Sequence, residues 1–199
     1  MNEALRQSLL DLAAEDQRVR AELATSGELF HGYNPRMAEV HDRNARALEV
    51  ILKAFGWPGK SLVGADGSHA AWLILQHAIG RPELLRQCLP LLERAAVLDE
   101  IEPAQPAYLE DRICFFERRP QRYGTQFDWD ETGQMSPWPI ANPEQVDSLR
   151  AAIGLPPLAE QIQSVREAIA RSGEAPPEDW NRRQAEMLDW ARAVGWKRD

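Results

Sequence analysis

The stretch AAWLILQHAI, residues 70–79, is apolar on almost every side and constrains the fold more than any other segment. A helix of this composition has no polar face to turn toward water, so it belongs at the centre of a helical domain. Ser68 is the expected N-cap, and Gly80 is expected to end the helix. The sequence therefore predicts a helical protein arranged around this segment.

Helical periodicity continues on both sides of the central segment. The expected helices cover residues 2–25, 35–55, 83–98, 107–117, 143–153, 158–171 and 178–194. Asn34 is the predicted N-cap of the second helix, because Pro35 follows it at the first helical position. Pro90 is expected to kink or divide the helix in which it lies.

The pattern changes at about residues 121–140, where apolar and polar residues alternate on either side of Gly133. This alternation predicts a two-stranded β-hairpin. The expected fold class is mostly α, a multi-helix bundle-like domain with one small hairpin. We expect residues 1–157 to form the helical core and residues 158–199 a C-terminal extension, packed on the core or acting as an arm.

Composition narrows the possible partners and locations. The 199 residues carry a formal net charge of −8, which opposes binding to nucleic acids and to anionic membrane surfaces. The two cysteines are too few for a disulfide framework, and no signal segment or membrane-spanning run is evident. We expect a cytoplasmic protein with neither nucleic-acid nor membrane partners.

Two polar residues of the second helix fall on its apolar side. At 100° per residue, His41 and Asn44 lie within the arc that also contains Met37, Leu48 and Ile51. A buried imidazole or amide without a hydrogen-bond partner costs about 1–3 kcal/mol, so each needs a partner. That partner is either a backbone group of the core or a bound molecule, and the sequence leaves both open.

Charged residues occupy apolar faces on two other helices. Asp16 and Arg20 have i,i+4 spacing in the apolar stripe of the first helix, where they can pair with each other or bind a ligand. Arg112 points into the apolar arc of the fifth predicted helix, with Asp111 at its edge. Because a guanidinium keeps its charge, Arg112 requires a carboxylate, carbonyl groups or an anionic ligand.

Further candidates lie at the end of the central helix and on the hairpin. Partial burial of His77 can tune its imidazole for general acid or base catalysis, although a core histidine with satisfied hydrogen bonds is the other interpretation. Gln121, Tyr123 and Gln126 can orient a polar ligand from the hairpin.

No sequence motif indicates a cofactor. A divalent metal ion is the less favoured alternative to acid–base catalysis without metal. Its ligands would be His41, His77 and a carboxylate from Asp111 or Asp16, a two-histidine, one-carboxylate set. Such a site requires helices to converge, because no two of these residues have ligand spacing within one helix.

Five short motifs occur together along the chain: DQxxR at 16–20, GWP at 56–58, QHA at 76–78, DR at 111–112 and QxYGTQ at 121–126. On these motifs, about residues 5–155 resemble a bacterial family of domains of unknown function. The resemblance implies a shared fold and site but supplies no chemistry. Residues after 158 lie outside it.

These observations favour an enzyme of the hydrolase or lyase type that acts on a small polar or anionic metabolite. His77 or His41 would move the proton, and Asp111 would orient the imidazole. The ligand would be held by polar residues of the helices and the hairpin: Arg112, Arg20, Asp16, Asn44, Gln121, Tyr123 and Gln126.

The alternative is a non-catalytic ligand-binding or protein-interaction module in which the buried polar residues are structural. Its support is the last predicted helix, where Trp180, Met187, Trp190 and Val194 form an apolar stripe that could join two copies of the chain. Plain core packing is the favoured interpretation of that stripe, because apolar stripes at helical spacing usually face the core.

Overall fold

The computed structural model describes residues 1–30 and 32–197. The chain is 68% helical, with eight α-helices and one two-stranded antiparallel sheet among the residues described. The prediction of a mostly helical fold with a single small hairpin is confirmed. None of the described helices combines the length and the apolar character that crossing a membrane requires.

The chain divides into two compact units, residues 1–105 and 106–199. The described helices of the first unit are α1 (Glu3–Ser26), α2 (Pro35–Phe55), α3 (Lys60–His77) and α4 (Pro82–Val97). The described elements that follow are α5 (Gln105–Phe116), β1 (Phe127–Trp129), β2 (Met135–Pro137), α6 (Val146–Ala152), α7 (Leu158–Ser172) and α8 (Trp180–Ala193). Short 3₁₀ turns lie at Glu28–Phe30 and Pro143–Gln145. The separation of residues 158–199 as an extension stays a prediction.

Helix α3 lies at the centre of the first unit, as the sequence predicts. It packs against α1, α2 and α4, and its residues Ala71, Ile74 and Leu75 are almost entirely buried. The cap of α2 is the predicted one, since Asn34 Oδ1 accepts a hydrogen bond from the Arg36 backbone N–H at 2.9 Å. This packing holds the C-terminal end of α3 beside α1 and α2.

The start of α3 differs from the prediction, because the helix begins at Lys60 and not after Ser68. Glu100 supplies the missing cap from the end of α4: its carbonyl accepts from the Lys60 N–H at 2.9 Å and its carboxylate from the Ser61 N–H at 2.8 Å. Ser68 is buried within the helix, where its hydroxyl donates to the Glu100 carbonyl at 3.3 Å. Gly64, at φ +75°, kinks the first turn away from the rest.

The hairpin is shorter than predicted. Its strands pair over three residues each, with Asp128 opposite Ser136, and residues 122–126 form a loop instead of a strand. The reason lies in Asp111, whose carboxylate accepts the backbone N–H groups that a strand would direct to a partner strand. The alternation in the sequence therefore marks a shaped loop followed by a short strand.

The apolar stripe of α8 packs within the second unit. The Trp180 indole N–H donates to the Trp129 carbonyl at 2.8 Å, and the Trp190 ring lies 5.6 Å from that of Phe116. Trp196, just after the helix, stacks on the same phenylalanine at 5.1 Å. These contacts support the core-packing interpretation of the stripe.

Gly124 provides a test of the loop. It has φ +68°, and a Cβ atom there would meet Leu158 Cδ1 at 2.8 Å. We expect Gly124→Ala to lower the free energy of unfolding by about 2–3 kcal/mol, since the left-handed conformation is strained for alanine and Leu158 must also move.

Gly154 is the matched control, because it has φ +75° and open space around the site of its Cβ. Gly154→Ala should cost only the backbone strain, about 1–2 kcal/mol. Equal losses in urea denaturation would contradict the steric argument.

Candidate functional site

Three helices of the first unit bring one carboxylate and two imidazoles together. Asp16 comes from α1, His41 from α2 and His77 from the last position of α3. His77 Nδ1 lies 3.0 Å and 3.1 Å from the two carboxylate oxygens of Asp16, and His41 Nε2 lies 3.3 Å from Oδ2 of the same carboxylate. We call these three residues the histidine cluster.

Asp16 is fully buried, yet its environment keeps it ionised. Burial opposes ionisation, but the two imidazoles beside the carboxylate, His41 at 3.3 Å and His77 at 3.0 Å, outweigh it and hold the pKa of the Asp16 carboxyl well below its usual range. An ionised carboxylate only accepts hydrogen bonds, so His77 Nδ1–H is the donor in that pair. The hydrogen on His77 is thereby fixed on Nδ1, facing Asp16.

His41 is held from its other side by Tyr33, a residue of the segment between α1 and α2. The Tyr33 hydroxyl lies 2.8 Å from His41 Nδ1. Burial, and then the charges of Asp16 and Asp42, raise the pKa of the Tyr33 phenol, so the hydroxyl stays protonated at neutral pH. The Nε2 atom of His41 is buried and has no hydrogen-bond partner within the described residues, although Asp16 Oδ2 lies 3.3 Å away.

The cluster combines a buried charge with an approach from solvent. About 20% of the His77 side chain is exposed, against 11% for His41 and 1% for Asp16. The two imidazole centroids are 5.1 Å apart, with the rings tilted by 38°. A carboxylate that orients a partly exposed imidazole can support proton transfer, and the same three side chains can also ligate a metal ion.

The other predicted residues of α1 and α2 have different surroundings from those of the histidine cluster. Asn44 is fully buried, and its amide donates to the Leu12 carbonyl at 3.0 Å, so it joins α2 to α1 as a core polar residue. Arg20 is exposed, and the prediction that it lies in the buried stripe is wrong. The α1 stripe turns around the helix axis, and four residues after Asp16 the long arginine side chain reaches solvent.

The expectation that Asp111 is the carboxylate that orients an imidazole is corrected: Asp16 orients His77. Asp111, on α5 in the second unit, is fully buried and accepts the backbone N–H groups of Arg122, Tyr123 and Thr125 at 2.8–3.1 Å. The Thr125 hydroxyl also donates to it at 3.0 Å. Asp111 therefore shapes the loop at 122–125.

Gln121, predicted to contact ligand, is likewise fully buried within that loop. Its amide nitrogen donates to the carbonyls of Gln126 and Trp138 at 2.9 Å and 2.8 Å, and its oxygen accepts from the Gln126 backbone N–H at 2.9 Å. Tyr123 and Gln126 are partly exposed. Arg112 is partly exposed as a whole residue, and burial of its guanidinium lowers the pKa to about 10.

Sequence reasoning missed Tyr33 and Arg150. Tyr33 packs beside Val19, Leu23 and Val40, and its only signal was an aromatic residue in the short segment between two helices. Arg150 is almost completely buried and donates to the carbonyls of Pro156, Tyr123 and Gly124 at 2.6–3.3 Å. Its position one turn after the buried Val146 was the available signal.

Asp111→Ala tests the structural role of that carboxylate. The substitution leaves three backbone N–H groups without their acceptor, and we expect the free energy of unfolding to fall by about 3–5 kcal/mol. Thr125→Val is the matched control, because it removes one of the hydrogen bonds to Asp111 and should cost about 1 kcal/mol. An Asp111→Ala protein as stable as the wild type in urea denaturation would show that the loop does not depend on this residue.

The comparisons with known proteins identify a family without an assigned activity. The model of DUF6624, a family of unknown function, matches residues 3–172. The match includes α7 and so continues past residue 158, where the resemblance in the sequence was expected to end. No curated protein and no solved structure matches the chain.

Proposed function

The chain belongs to the DUF6624 family, whose function is unknown, and from the geometry of the histidine cluster we propose that it is an enzyme of the hydrolase or lyase type acting on a small polar or anionic metabolite. The observation that carries the proposal is the contact between the buried, ionised Asp16 and Nδ1 of the partly exposed His77. Burial of a carboxylate is costly unless its partners offset it, so the pair is a defined feature of the fold.

The contact with Asp16 fixes how His77 can act. With Nδ1 turned to the carboxylate, Nε2 lies on the opposite edge of the ring, on the residue of the cluster that is most exposed. An imidazole held in this way can take a proton from water or from a carbon beside a carbonyl and return it to a leaving group. His77 is thus the proposed catalytic residue, and Asp16 is a positioning residue.

His41 supports the same carboxylate from the other side. Tyr33 and Asp16 restrain its ring from two edges, so its side chain is fixed against the cluster. A rigid second imidazole keeps the Asp16 charge in place while His77 exchanges its proton. The proposal therefore gives His77 the proton transfer and His41 a supporting position.

The first unit also offers a cation for an anionic substrate. Arg20 is exposed and lies one helical turn after Asp16 on α1, where a guanidinium could hold a carboxylate or phosphate group. The ligand contacts expected of Arg112, Gln121, Tyr123 and Gln126 stay predictions. The cytoplasmic location is also a proposal, supported by the free, buried thiols of Cys88 and Cys114.

The test replaces His77 in two ways and follows turnover on a panel of small carboxylate, phosphate, ester and amide compounds by NMR. His77→Ala should lower kcat at least 100-fold, because it removes the proton carrier. His77→Gln keeps a donor for Asp16 but cannot carry a proton, and it should be equally inactive while it stays folded. Arg20→Ala should raise KM for anionic substrates and leave kcat largely unchanged.

His69→Ala is the matched control, since His69 is an exposed histidine of the same helix. It should match the wild type in both turnover and melting temperature. If His77→Gln retains full turnover, or if the wild-type protein turns over no member of the panel, the proposed function is wrong.

A further inference from the structure

The Nε2 atom of His41 is a buried nitrogen whose role in the fold is unexplained. Among the described residues it has no hydrogen-bond partner, and His41 is only 9% exposed. Asp16 Oδ2 is 3.3 Å away but makes no hydrogen bond with it. A buried polar atom in this state costs about 1–3 kcal/mol unless another group meets it. The nitrogen is aimed into the cluster, so the group that meets it belongs there.

The atoms around this nitrogen have the spacing of metal ligands. One ligand atom from each of Asp16, His41 and His77 lies within 4.8 Å of the other two. His77 Nδ1 is 3.0 Å from Asp16 Oδ1, and His41 Nε2 is 3.3 Å from Oδ2. Ligands placed about 2.1 Å from a tetrahedral Zn²⁺ ion stand about 3.4 Å from each other. Both measured separations are close to that value.

We propose that Asp16, His41 and His77 bind one divalent transition-metal ion of the Zn²⁺ class. Two imidazoles and one carboxylate suit Zn²⁺, Co²⁺ or Fe²⁺, whereas Mg²⁺ and Ca²⁺ prefer oxygen ligands. Three protein ligands leave a coordination position for water or substrate. The partial exposure of His77 gives that position access to solvent.

Tyr33 lies where a group that orients a metal-bound histidine is expected. Histidines that ligate a metal usually donate their other ring N–H to an oxygen, which fixes the ring and its tautomer. The Tyr33 hydroxyl oxygen lies 2.8 Å from His41 Nδ1. When Nδ1–H donates to that oxygen, the lone pair of Nε2 points toward Asp16 and is available for an ion. Tyr33 is therefore a positioning residue of the metal site.

The proposed metal ligands are the same three residues as the proposed catalytic cluster. Metal binding itself does not depend on the proposed function, but a role for the metal in the reaction rests on it. An ion there would bind the lone pair of His77 Nδ1, whose hydrogen would move through solvent to Nε2 of the same ring, and the ion would replace the imidazole as the group that activates water. The reaction class stays that of a hydrolase or lyase. Metal binding can be measured without turnover, so the two proposals can fail separately.

The experiment uses the full chain without a histidine tag, after metal removal with a chelator and dialysis. Zn²⁺ is titrated by calorimetry, and Co²⁺ by its visible d–d absorption. We expect one ion per chain in both titrations. His41→Gln should weaken binding at least 100-fold, and Tyr33→Phe should weaken it about 10–100-fold, because it removes the oxygen that orients His41. His69→Ala, the exposed control on α3, should bind as the wild type does.

A second measurement does not depend on the folding of any variant. Zn²⁺, which is diamagnetic, should shift the imidazole resonances of His41 and His77 when it is added to the wild-type protein and leave those of His69 in place. Binding below one ion per chain, or equal binding by wild type, His41→Gln and Tyr33→Phe, would overturn the metal site. Turnover by a protein shown to hold no metal would overturn the metal's place in the reaction and support His77 as the proton carrier. An ion bound without turnover would support the metal site and overturn the proposed function.

Discussion

The first unit depends on how it accommodates the buried charge of Asp16. Removing a carboxylate from water costs several kcal/mol, and two imidazoles from two other helices offset that cost. The carboxylate therefore ties α1 to α2 and α3 at one point. Backbone amides would satisfy it equally well, but they can neither exchange protons nor bind metals. Because imidazoles can exchange protons and bind metal ions, a carboxylate held by them can support chemistry as well as stability.

Asp111 shows the contrasting solution in the second unit. It is as deeply buried as Asp16, but its partners are backbone N–H groups and one hydroxyl. These hydrogen bonds shape a loop. In that loop the carbonyls of Tyr123 and Gly124 accept hydrogen bonds from the buried guanidinium of Arg150. Burial of a carboxylate by itself thus does not distinguish a candidate site from a structural contact. The groups that bind the carboxylate make that distinction.

The sequence predicts which side chains are buried better than it predicts which of them meet. Helical periodicity placed His41 and Asn44 correctly in the core, because a wheel depends only on local geometry. It could not place Glu100 at the start of α3, since that cap comes from 39 residues away. For the same reason the wheel could not show that Asp16 meets His77, a contact that exists only once the helices have packed. The prediction that Arg20 is buried was wrong for a local reason, since a long side chain can reach solvent from the edge of an apolar stripe.

The two imidazoles approach Asp16 through different nitrogens, and this asymmetry assigns them different tasks. His41 faces the carboxylate with Nε2 and Tyr33 with Nδ1, so both edges of its ring are restrained. His77 faces the carboxylate with Nδ1, and it is the more exposed of the two rings. A ring restrained at both edges suits a fixed ligand or support. A ring that turns Nδ1 to the carboxylate and is partly exposed suits the exchange of protons or the entry of an ion, which is why both proposals place the reactive side of the cluster at His77.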